Sequence, residues 1–203
     1  INFILGNAGA GKTTFLIQFL YNGATKFDEN GLYISFEPEI TDIYRSAKKQ
    51  GMDVEKLDAQ GKLKILKINS GATIREIQDK IIKLIAKYNI KRIAFDPINV
   101  FAIELPKEIS IRRQIYDLLS LLKKLDVCTM IAGESDGEND GYDMPDEVAF
   151  CKYSTDGVIE LFSSGLSGTA DRALRIVKMR MTNHARGPVG MEITGAGIKV
   201  LSK

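Results

Sequence analysis

The chain has 203 residues, 44% of them hydrophobic, which is enough for one sizeable core and short for two. We therefore expect residues 1–203 to form a single domain. The 28 lysines and arginines nearly balance the 26 aspartates and glutamates, so overall charge gives no argument for a nucleic-acid or membrane-surface partner.

Cysteine usage and hydropathy bound the cellular setting. The two cysteines, Cys128 and Cys151, cannot form a disulfide framework, and they lack the spacing of a zinc site. No apolar run approaches the roughly 20 residues that span a bilayer, and no signal-peptide pattern is present. We therefore predict a cytoplasmic protein with no membrane partner. The chain opens without methionine and inside a predicted strand, so we expect that a short N-terminal segment is missing.

Strand-like and helix-like segments alternate along the first two thirds of the chain, which favours a mostly parallel sheet covered by helices on both faces. The predicted strands are 1–5, 31–36, 62–69, 92–96 and 128–134, and the predicted helices are 12–21, 39–51, 74–89 and 110–125. Gly23 and Gly51 are the predicted ends of the first two helices, since glycine favours helix ends. Apolar spacing in the third helix predicts a buried stripe, which consists of Ile77, Ile81, Ile82, Leu84 and Ile85.

The alternation of predicted strands and helices ends in the last third of the chain. Residues 134–147 are acidic and rich in glycine, which predicts a solvated loop. From Gly157 onward, short apolar runs alternate with turns, which predicts hairpins along one edge of the sheet. The predicted fold class is therefore α/β, with a mostly parallel sheet, helices on both faces and C-terminal antiparallel hairpin strands.

The segment from Gly6 to Thr14 joins the first predicted strand to the first predicted helix and matches G-x-x-x-x-G-K-[ST]. Its glycines leave backbone N–H groups free to converge on a polyphosphate, which also favours the positive end of a helix. Lys12 is predicted to contact the β- and γ-phosphates, and the Thr13 hydroxyl to complete a Mg²⁺ shell. The predicted ligands are ATP or ADP with Mg²⁺. The predicted binding residues are Gly6, Asn7, Ala8, Gly9, Ala10, Gly11, Lys12, Thr13 and Thr14.

Two acidic residues end predicted strands at the edge of the sheet where open α/β sheets bind ligands. Asp96 follows a continuously apolar strand, and a carboxylate there can hold the Mg²⁺ shell, so Thr13 and Asp96 are the predicted metal residues. Glu37 follows the second strand and is the predicted catalytic base, which orients and deprotonates the attacking water. The alternative is that Glu37, like Glu39, is only an acid at a helix start beside Pro38.

Several segments carry a family resemblance. They are GNAGAGKTTF, YISFEPE, the strand that ends in Asp96, EVAFCKYSTDGVIEL and GPVGMEITGAGIKV. The most specific is KMRMTNH, residues 178–184, which resembles a K-x-R-x-T-x-H segment. Together they resemble the KaiC domain of the RecA-type ATPases, and the resemblance covers nearly the whole chain.

The resemblance implies a RecA-like P-loop core that binds ATP between the subunits of a homo-oligomer, commonly a hexameric ring. It implies that Lys178 and Arg180 are catalytic and reach across the interface to the neighbour's γ-phosphate. It also implies further nucleotide contacts, which are Thr182, His184, Thr194 and Gly195. Two positions depart from the family. Glu37 is followed by Pro38 where the family often has a second glutamate, and Asp96 by Pro97 where a serine is usual.

The residues alone leave the role of the KMRMTNH segment open. Lys178 and Arg180 alternate with apolar residues, so they are predicted to share one face of a strand. A basic stripe on an edge strand is usually a solvated face that discourages aggregation. His184, the sole histidine, is by itself more often structural than a ligand. The assignment of these side chains to a nucleotide site therefore depends on the resemblance.

The leading hypothesis is a Mg²⁺-dependent ATPase whose hydrolysis is coupled to oligomer assembly or conformational switching, with an unidentified protein partner. Autophosphorylation stays open, with no residue to nominate. One alternative is a regulatory module that binds ATP and barely hydrolyses it. Another is a RecA-like recombination factor on single-stranded DNA, but that needs a basic groove with stacking aromatics, which the sequence does not indicate. A small-molecule phosphotransferase would normally have an arginine-rich lid, whereas residues 134–147 are acidic.

Overall fold

The computed structural model describes residues 1–36, 39–69, 71–104, 110–134, 145–163 and 171–201. Its strands are β1 (Asn2–Gly6), β2 (Asn30–Ser35), β3 (Leu63–Lys67), β4 (Ile90–Asp96), β5 (Cys128–Glu134), β6 (Gly157–Ser163), β7 (Arg172–Met179), β8 (Val189–Thr194) and β9 (Gly197–Val200). Its helices are α1 (Lys12–Lys26), α2 (Ile40–Lys49), α3 (Val54–Ala59), α4 (Ile74–Tyr88), α5 (Phe101–Glu104), α6 (Ile111–Lys124) and α7 (Asp146–Ser154), with a 3-10 turn η1 (Ile98–Val100).

The strands form one sheet in the order β3-β2-β4-β5-β1-β6-β7-β8-β9. Strands from β3 across to β6 pair in parallel, and β7, β8 and β9 follow as antiparallel neighbours. We call the edge where the parallel strands end the carboxyl edge, and the opposite one the amino edge. The α/β fold class and the C-terminal antiparallel strands are confirmed.

Successive side chains of a strand point to opposite faces of the sheet, and helices bury both of these faces. Phe3 and Leu5 of β1 pack in one core, which α4, α6 and α7 cover, whereas Ile4 packs in a second core under α1, α2 and α3. Helices thus cover both faces of the central strands. This arrangement leaves the ends of the parallel strands, rather than their faces, for a ligand.

Local sequence signals set several helix boundaries. Gly51 follows α2 with φ 73°, a left-handed conformation that favours glycine, as predicted. Thr73 caps α4, because its hydroxyl accepts the N–H of Glu76 at 3.3 Å while the Glu76 carboxylate accepts the N–H of Thr73 at 2.7 Å. Ser110 accepts the N–H of Arg113 and caps α6.

Two details of the helix predictions are wrong. Helix α1 does not end at Gly23 but continues to Lys26. Gly23 is buried, and a Cβ there would lie 2.6 Å from Cδ of Arg92, so this glycine allows a close approach rather than a helix end. In α4, Ile77 and Ile81 are buried but Ile82 is 42% exposed, because its position turns it away from the sheet.

The C-terminal third follows the predicted pattern with two differences. Strand β6 joins the parallel sheet beside β1, and the antiparallel pairing begins only at β7. Strand β7 ends at Met179, so Arg180 lies just beyond it rather than inside it as predicted. The predicted loop over 134–147 falls largely on residues that are not described, and α7 begins at its end. Among the described residues, no helix has the length and apolarity to cross a bilayer.

Candidate nucleotide site

The loop between β1 and α1 has the backbone that a phosphate cradle needs. Gly9 and Gly11 have φ values of 76° and 102°, which side chains with a Cβ rarely adopt. A Cβ on Gly9 would meet no heavy atom within 4 Å, so the space beside it is open. Gly11 is the N-cap of α1 and has no side chain to occupy the N–H groups of the first turn. The positive end of α1 therefore faces the loop without a competing cap.

The Lys12 side chain is nearly buried, with 6% of the residue exposed. Its Nζ donates to the carbonyl oxygens of Gly6 and Asn7, both at 3.0 Å. It also donates to Oε1 of Glu134, at the end of β5, at 3.2 Å. These contacts direct the ammonium group back over the loop, where it binds the carbonyl groups at and just after the end of β1 and lies next to the phosphate cradle.

A hydroxyl–carboxylate cluster lies on the other side of the loop. The Thr13 hydroxyl donates to Oδ2 of Asp96 at 2.6 Å, and the Tyr33 hydroxyl donates to the same oxygen, also at 2.6 Å. Asp96 is 8% exposed and Tyr33 is 1% exposed, so the cluster is largely shielded from water. Burial, together with the Asp96 charge, raises the pKa of Tyr33 well above its ordinary value, which keeps this phenol a hydrogen-bond donor.

The chemistry of this cluster suits Mg²⁺. Thr13 and Asp96 supply hard oxygen atoms at the start of α1 and the end of β4, next to the cradle. Mg²⁺ in phosphate sites takes one or two such protein ligands and keeps water and phosphate oxygens for the rest. Thr13 and Asp96 would therefore hold the ion directly or through water, and the ion would supply positive charge to the phosphates.

The β8–β9 hairpin forms one wall of the loop. A Cβ on Gly11 would lie 2.7 Å from Cδ1 of Ile193, so the hairpin packs directly on the loop. The side-chain amide of Gln18 in α1 donates to the carbonyl of Ile198 at 2.9 Å and accepts its N–H at 2.6 Å. Two elements distant in sequence, the hairpin and α1, are thus joined next to the cradle.

The turn of that hairpin contains Thr194 and Gly195. The Thr194 hydroxyl accepts the N–H of Ala196 and donates to the carbonyl of Gly197, both at 3.1 Å. A Cβ on Gly51 would lie 3.1 Å from the carbonyl oxygen of Gly195, and the neighbouring Gln50 side chain donates to the Thr14 hydroxyl at 3.0 Å. The turn therefore lies near the end of α2, whose neighbouring residue Gln50 contacts the phosphate loop.

Lys178 lies at the opposite, amino edge of the sheet. It pairs with Val158 of β6, which is level with Phe3 near the start of β1. At roughly 3.3 Å per residue, the stretch from Phe3 to Gly6 spans about 10 Å, so Lys178 does not meet the phosphate loop of its own chain. Its Nζ instead donates to the carbonyls of Lys152 and Tyr153, at 3.0 and 3.3 Å.

Arg180 lies beside Lys178, just after β7. Its guanidinium is 3.7 Å from Oδ1 of Asp156, and its backbone N–H donates to the carbonyl of Asp156 at 2.9 Å. The Arg180 side chain is 54% exposed. Partial burial and the neighbouring Arg180 charge lower the pKa of Lys178, so the two cations destabilise each other in the isolated chain.

The remaining predicted site residues are Thr182, His184 and Glu37. Thr182 is exposed and His184 is half-buried, and Nδ1 of His184 contacts the carbonyl of Ala185 at 3.0 Å. Both follow Arg180 in the segment between β7 and β8. Glu37, with Pro38, lies outside the described residues, so its catalytic role stays a prediction.

Polar side chains that contact the site but were not predicted from the sequence include those of Tyr33, Glu134 and Arg172. Tyr33 was part of a recognised strand, but its contact with Asp96 depends on β2 and β4 being neighbours. Glu134 ends β5, as Asp96 ends β4, so the rule of acids at strand ends could have found it. Arg172, at the start of β7, donates to the carbonyl of Gly9, and no local pattern in the sequence indicates that contact.

A glycine-rich loop between β1 and α1, a lysine and threonine at the helix start, and a buried carboxylate on a nearby parallel strand define a P-loop nucleotide-binding domain. The family model described as the KaiC ATPase matches residues 1–203. The chain therefore belongs to the KaiC family, and its resemblance to that family is confirmed.

Individual relatives agree with this assignment. The circadian clock oscillator protein KaiC of Synechococcus elongatus is 30% identical over 206 residues, which cover 97% of this chain and 39% of that protein. The corresponding protein of a Nostoc species is 30% identical over 207 residues, with 97% and 39% covered. This chain therefore spans about two fifths of the length of the curated relatives it matches.

A solved structure is also similar. The crystal structure of a KaiC-like protein from the hyperthermophilic archaeon Pyrococcus horikoshii superposes with a TM-score of 0.86 at 29% identity. The match covers 99% of this chain and 88% of that one. The nine-stranded arrangement is therefore that of a KaiC-like domain.

Proposed function

We propose that this chain binds ATP with Mg²⁺ and hydrolyses it at the interfaces of a homo-oligomer, with hydrolysis coupled to assembly or to a conformational switch. The observation that carries the proposal is the cluster of Lys12, Thr13 and Asp96 around an open glycine loop. Family membership supports an ATPase of the KaiC type. The homo-oligomer, the interfacial position of the nucleotide and the coupling of hydrolysis are part of the proposal.

Each residue has a stated task in this mechanism. The loop N–H groups and Lys12 bind the phosphates, while Thr13 and Asp96 hold the Mg²⁺ shell. Glu37 orients a water molecule in line with the γ-phosphate and takes its proton. The turn that contains Thr194 and Gly195 contacts the remainder of the nucleotide.

The charge that develops on the γ-phosphate needs a further cation. Lys178 and Arg180 are too far from the loop of their own chain to supply it, as the register of β1, β6 and β7 indicates. We propose that they supply it to the neighbouring subunit, with Thr182 and His184 next to them in the interface. A guanidinium in that place accelerates phosphoryl transfer by about 10³ to 10⁵.

Assembly and activity are best measured on one sample. Light scattering with and without ATP and Mg²⁺ gives the mass, and phosphate release gives the rate. We expect nucleotide-dependent oligomers and a rate per subunit that rises with protein concentration. A stable monomer that hydrolyses ATP at a concentration-independent rate would contradict the shared site.

Mixed oligomers test the direction of the contribution. Glu37→Gln removes the base of the subunit's own site, and Arg180→Ala removes only what the subunit lends. When the two inactive variants are mixed, some interfaces pair an intact Glu37 with an intact Arg180, so part of the activity should return. If subunits demonstrably exchange and every ratio stays inactive, Arg180 does not act on the neighbouring subunit.

A further inference from the structure

The ion pair between Lys12 and Glu134 is not explained by the proposed hydrolysis mechanism. A lysine ammonium group has three N–H donors, and in this structure Lys12 has three acceptors within hydrogen-bond distance. They are the carbonyls of Gly6 and Asn7 at 3.0 Å and Oε1 of Glu134 at 3.2 Å. A phosphate oxygen can therefore bind Lys12 well only if one of these acceptors leaves.

Glu134 is the acceptor that can leave at the lowest cost. The carbonyls of Gly6 and Asn7 belong to the backbone of the loop, and their removal would rebuild the cradle. The Glu134 side chain is 52% exposed, so its carboxylate can rotate into water without moving the backbone. An ion pair with one partner this exposed is weak, and a polyphosphate carries more charge than one carboxylate.

The backbone of Glu134, in contrast, is held in place. Oδ1 of Asn99 in η1 accepts the N–H of Glu134 at 2.7 Å, and Nδ2 of Asn99 donates to the Glu134 carbonyl at 3.4 Å. Glu134 is also level with Gly6 in the ladder of β1 and β5. A displaced carboxylate therefore stays within one side-chain length of Lys12, where it faces the bound phosphates as a like charge.

The position of Glu134 points to the terminal phosphate. The N–H cradle at the start of α1 takes the inner phosphates, and Lys12 bridges from there to the outermost one. Glu134 approaches Lys12 from the end of β5, which lies between β4 and β1 in the sheet, whereas the cradle lies at the start of α1. On that assignment the carboxylate would compete with a third phosphate for Lys12 rather than with a second.

We propose that Glu134 is a selectivity-determining residue, whose carboxylate competes with the γ-phosphate for Lys12 and weakens the binding of ATP relative to ADP. The inference rests on the proposed function, because it assumes that this loop binds a nucleotide. In the empty and ADP-bound chain, Glu134 neutralises Lys12. In the ATP-bound chain, the γ-phosphate takes its place, and loss of that phosphate lets the ion pair form again.

Titration calorimetry on four proteins tests this. Glu134→Gln keeps the size of the side chain but removes its charge, and Glu134→Ala removes both. We expect both variants to bind a non-hydrolysable ATP analogue about 3- to 10-fold more tightly than the wild-type protein, because the competing ion pair and the like charge are lost together, and ADP with less than about a threefold change. Glu55→Gln, at an exposed site on α3, removes the same charge away from the loop and should bind both ligands as the wild-type protein does.

The possible outcomes separate the two proposals. If the wild-type protein binds neither ligand, the proposed function fails and this inference fails with it. If the wild-type protein binds both and the Glu134 variants bind the ATP analogue no more tightly, only this inference is overturned. An equal gain for ADP and for the ATP analogue would also overturn it, because the carboxylate would then oppose phosphate charge in general rather than the γ-phosphate.

Discussion

The two edges of the sheet hold their cations in different ways. At the carboxyl edge, Lys12 is nearly buried and is surrounded by acceptors of the loop and of β5. At the amino edge, Arg180 is half exposed and lies 3.7 Å from its carboxylate partner. One edge surrounds its cation with acceptors, whereas at the other edge Arg180 and Lys123 both lie near a single carboxylate, that of Asp156.

The difference indicates which molecule could supply the anion at each edge. A buried cation that has acceptors within its own chain is stable until a small ligand binds. A cation with few acceptors in its own chain is suited to bind an anion that another molecule supplies. The carboxyl edge therefore suits a nucleotide that diffuses in from solution. The amino edge suits a nucleotide that a neighbouring subunit already holds.

The largest effect should come from the amino edge. We expect Arg180→Ala to lower phosphate release by about 10³- to 10⁵-fold, because the γ-phosphate loses the cation that stabilises its transition state. Stability should change by less than about 1 kcal/mol, since the exposed ion pair with Asp156 contributes little. Arg113→Ala, at an exposed arginine of α6, is the matched control and should retain the wild-type rate. Wild-type hydrolysis by Arg180→Ala would remove the contrast between the edges.

At the carboxyl edge, Lys12→Ala should weaken ATP binding by about 100-fold or more in calorimetry, because several charge-assisted hydrogen bonds are lost together. The fold should survive, and the two cysteines can report on it. Cys151 is buried, and burial raises the pKa of its thiol to about 12, so a thiol reagent should label only the exposed Cys128 in a folded variant. Unchanged ATP affinity in a variant that passes this check would show that the loop is not the nucleotide site.

The rigidity of the carboxyl edge can be tested at Tyr33. Tyr33→Phe removes one of two hydrogen bonds to a largely buried carboxylate oxygen, and a bond to a charged group is worth about 1.5–3 kcal/mol. We expect a loss of that size in the free energy of unfolding, measured by denaturant titration. Tyr153→Phe is the control, since Tyr153 is 78% exposed, and it should change little. Equal stabilities would mean that the Asp96 cluster does not depend on Tyr33.

The smallest expected effect is at Gly23, where a substitution tests whether Arg92 at the amino edge is held firmly by its contacts. Arg92, near the start of β4, donates to Glu29 at 2.6 Å and to the carbonyl of Phe19 at 2.9 Å, and it lies against Gly23. Alanine normally stabilises a helix by about 1 kcal/mol relative to glycine, but Gly23→Ala would press on this clamped arginine. We expect a net loss of about 1–2 kcal/mol in denaturant titration. A higher free energy of unfolding would mean instead that Arg92 moves aside easily, so that weakly held cations at the amino edge are not limited to Lys178 and Arg180.

The sequence predicts what depends on near neighbours in the chain. The loop from Gly6 to Thr14 could be recognised because its pattern, the strand before it and the helix after it are all local. The same holds for Gly51, which ends α2 with a positive φ. The alternation of strands and helices was enough for the sheet and its covering layers, since buried strands read as continuous apolar runs.

Contacts that depend on strand order could not be predicted in this way. Tyr33 reaches Asp96 only because β2 and β4 are adjacent, and Glu134 reaches Lys12 only because β5 lies beside β1. The prediction at Gly23 is wrong for a related reason, since glycine serves both helix ends and close packing, and only the distant Arg92 decides between them. The separation of Arg180 from the loop likewise follows from the register of β7.

The contact between Gln18 and β9 has a consequence for solubility. Strand β9 is the last of the sheet, and an edge strand with free N–H and carbonyl groups can recruit a strand of another chain. The Gln18 amide accepts the N–H and donates to the carbonyl of Ile198, as a neighbouring strand would. Helix α1 therefore occupies the outer side of β9 at this residue, so the helix that begins at the phosphate loop also prevents another strand from pairing with Ile198.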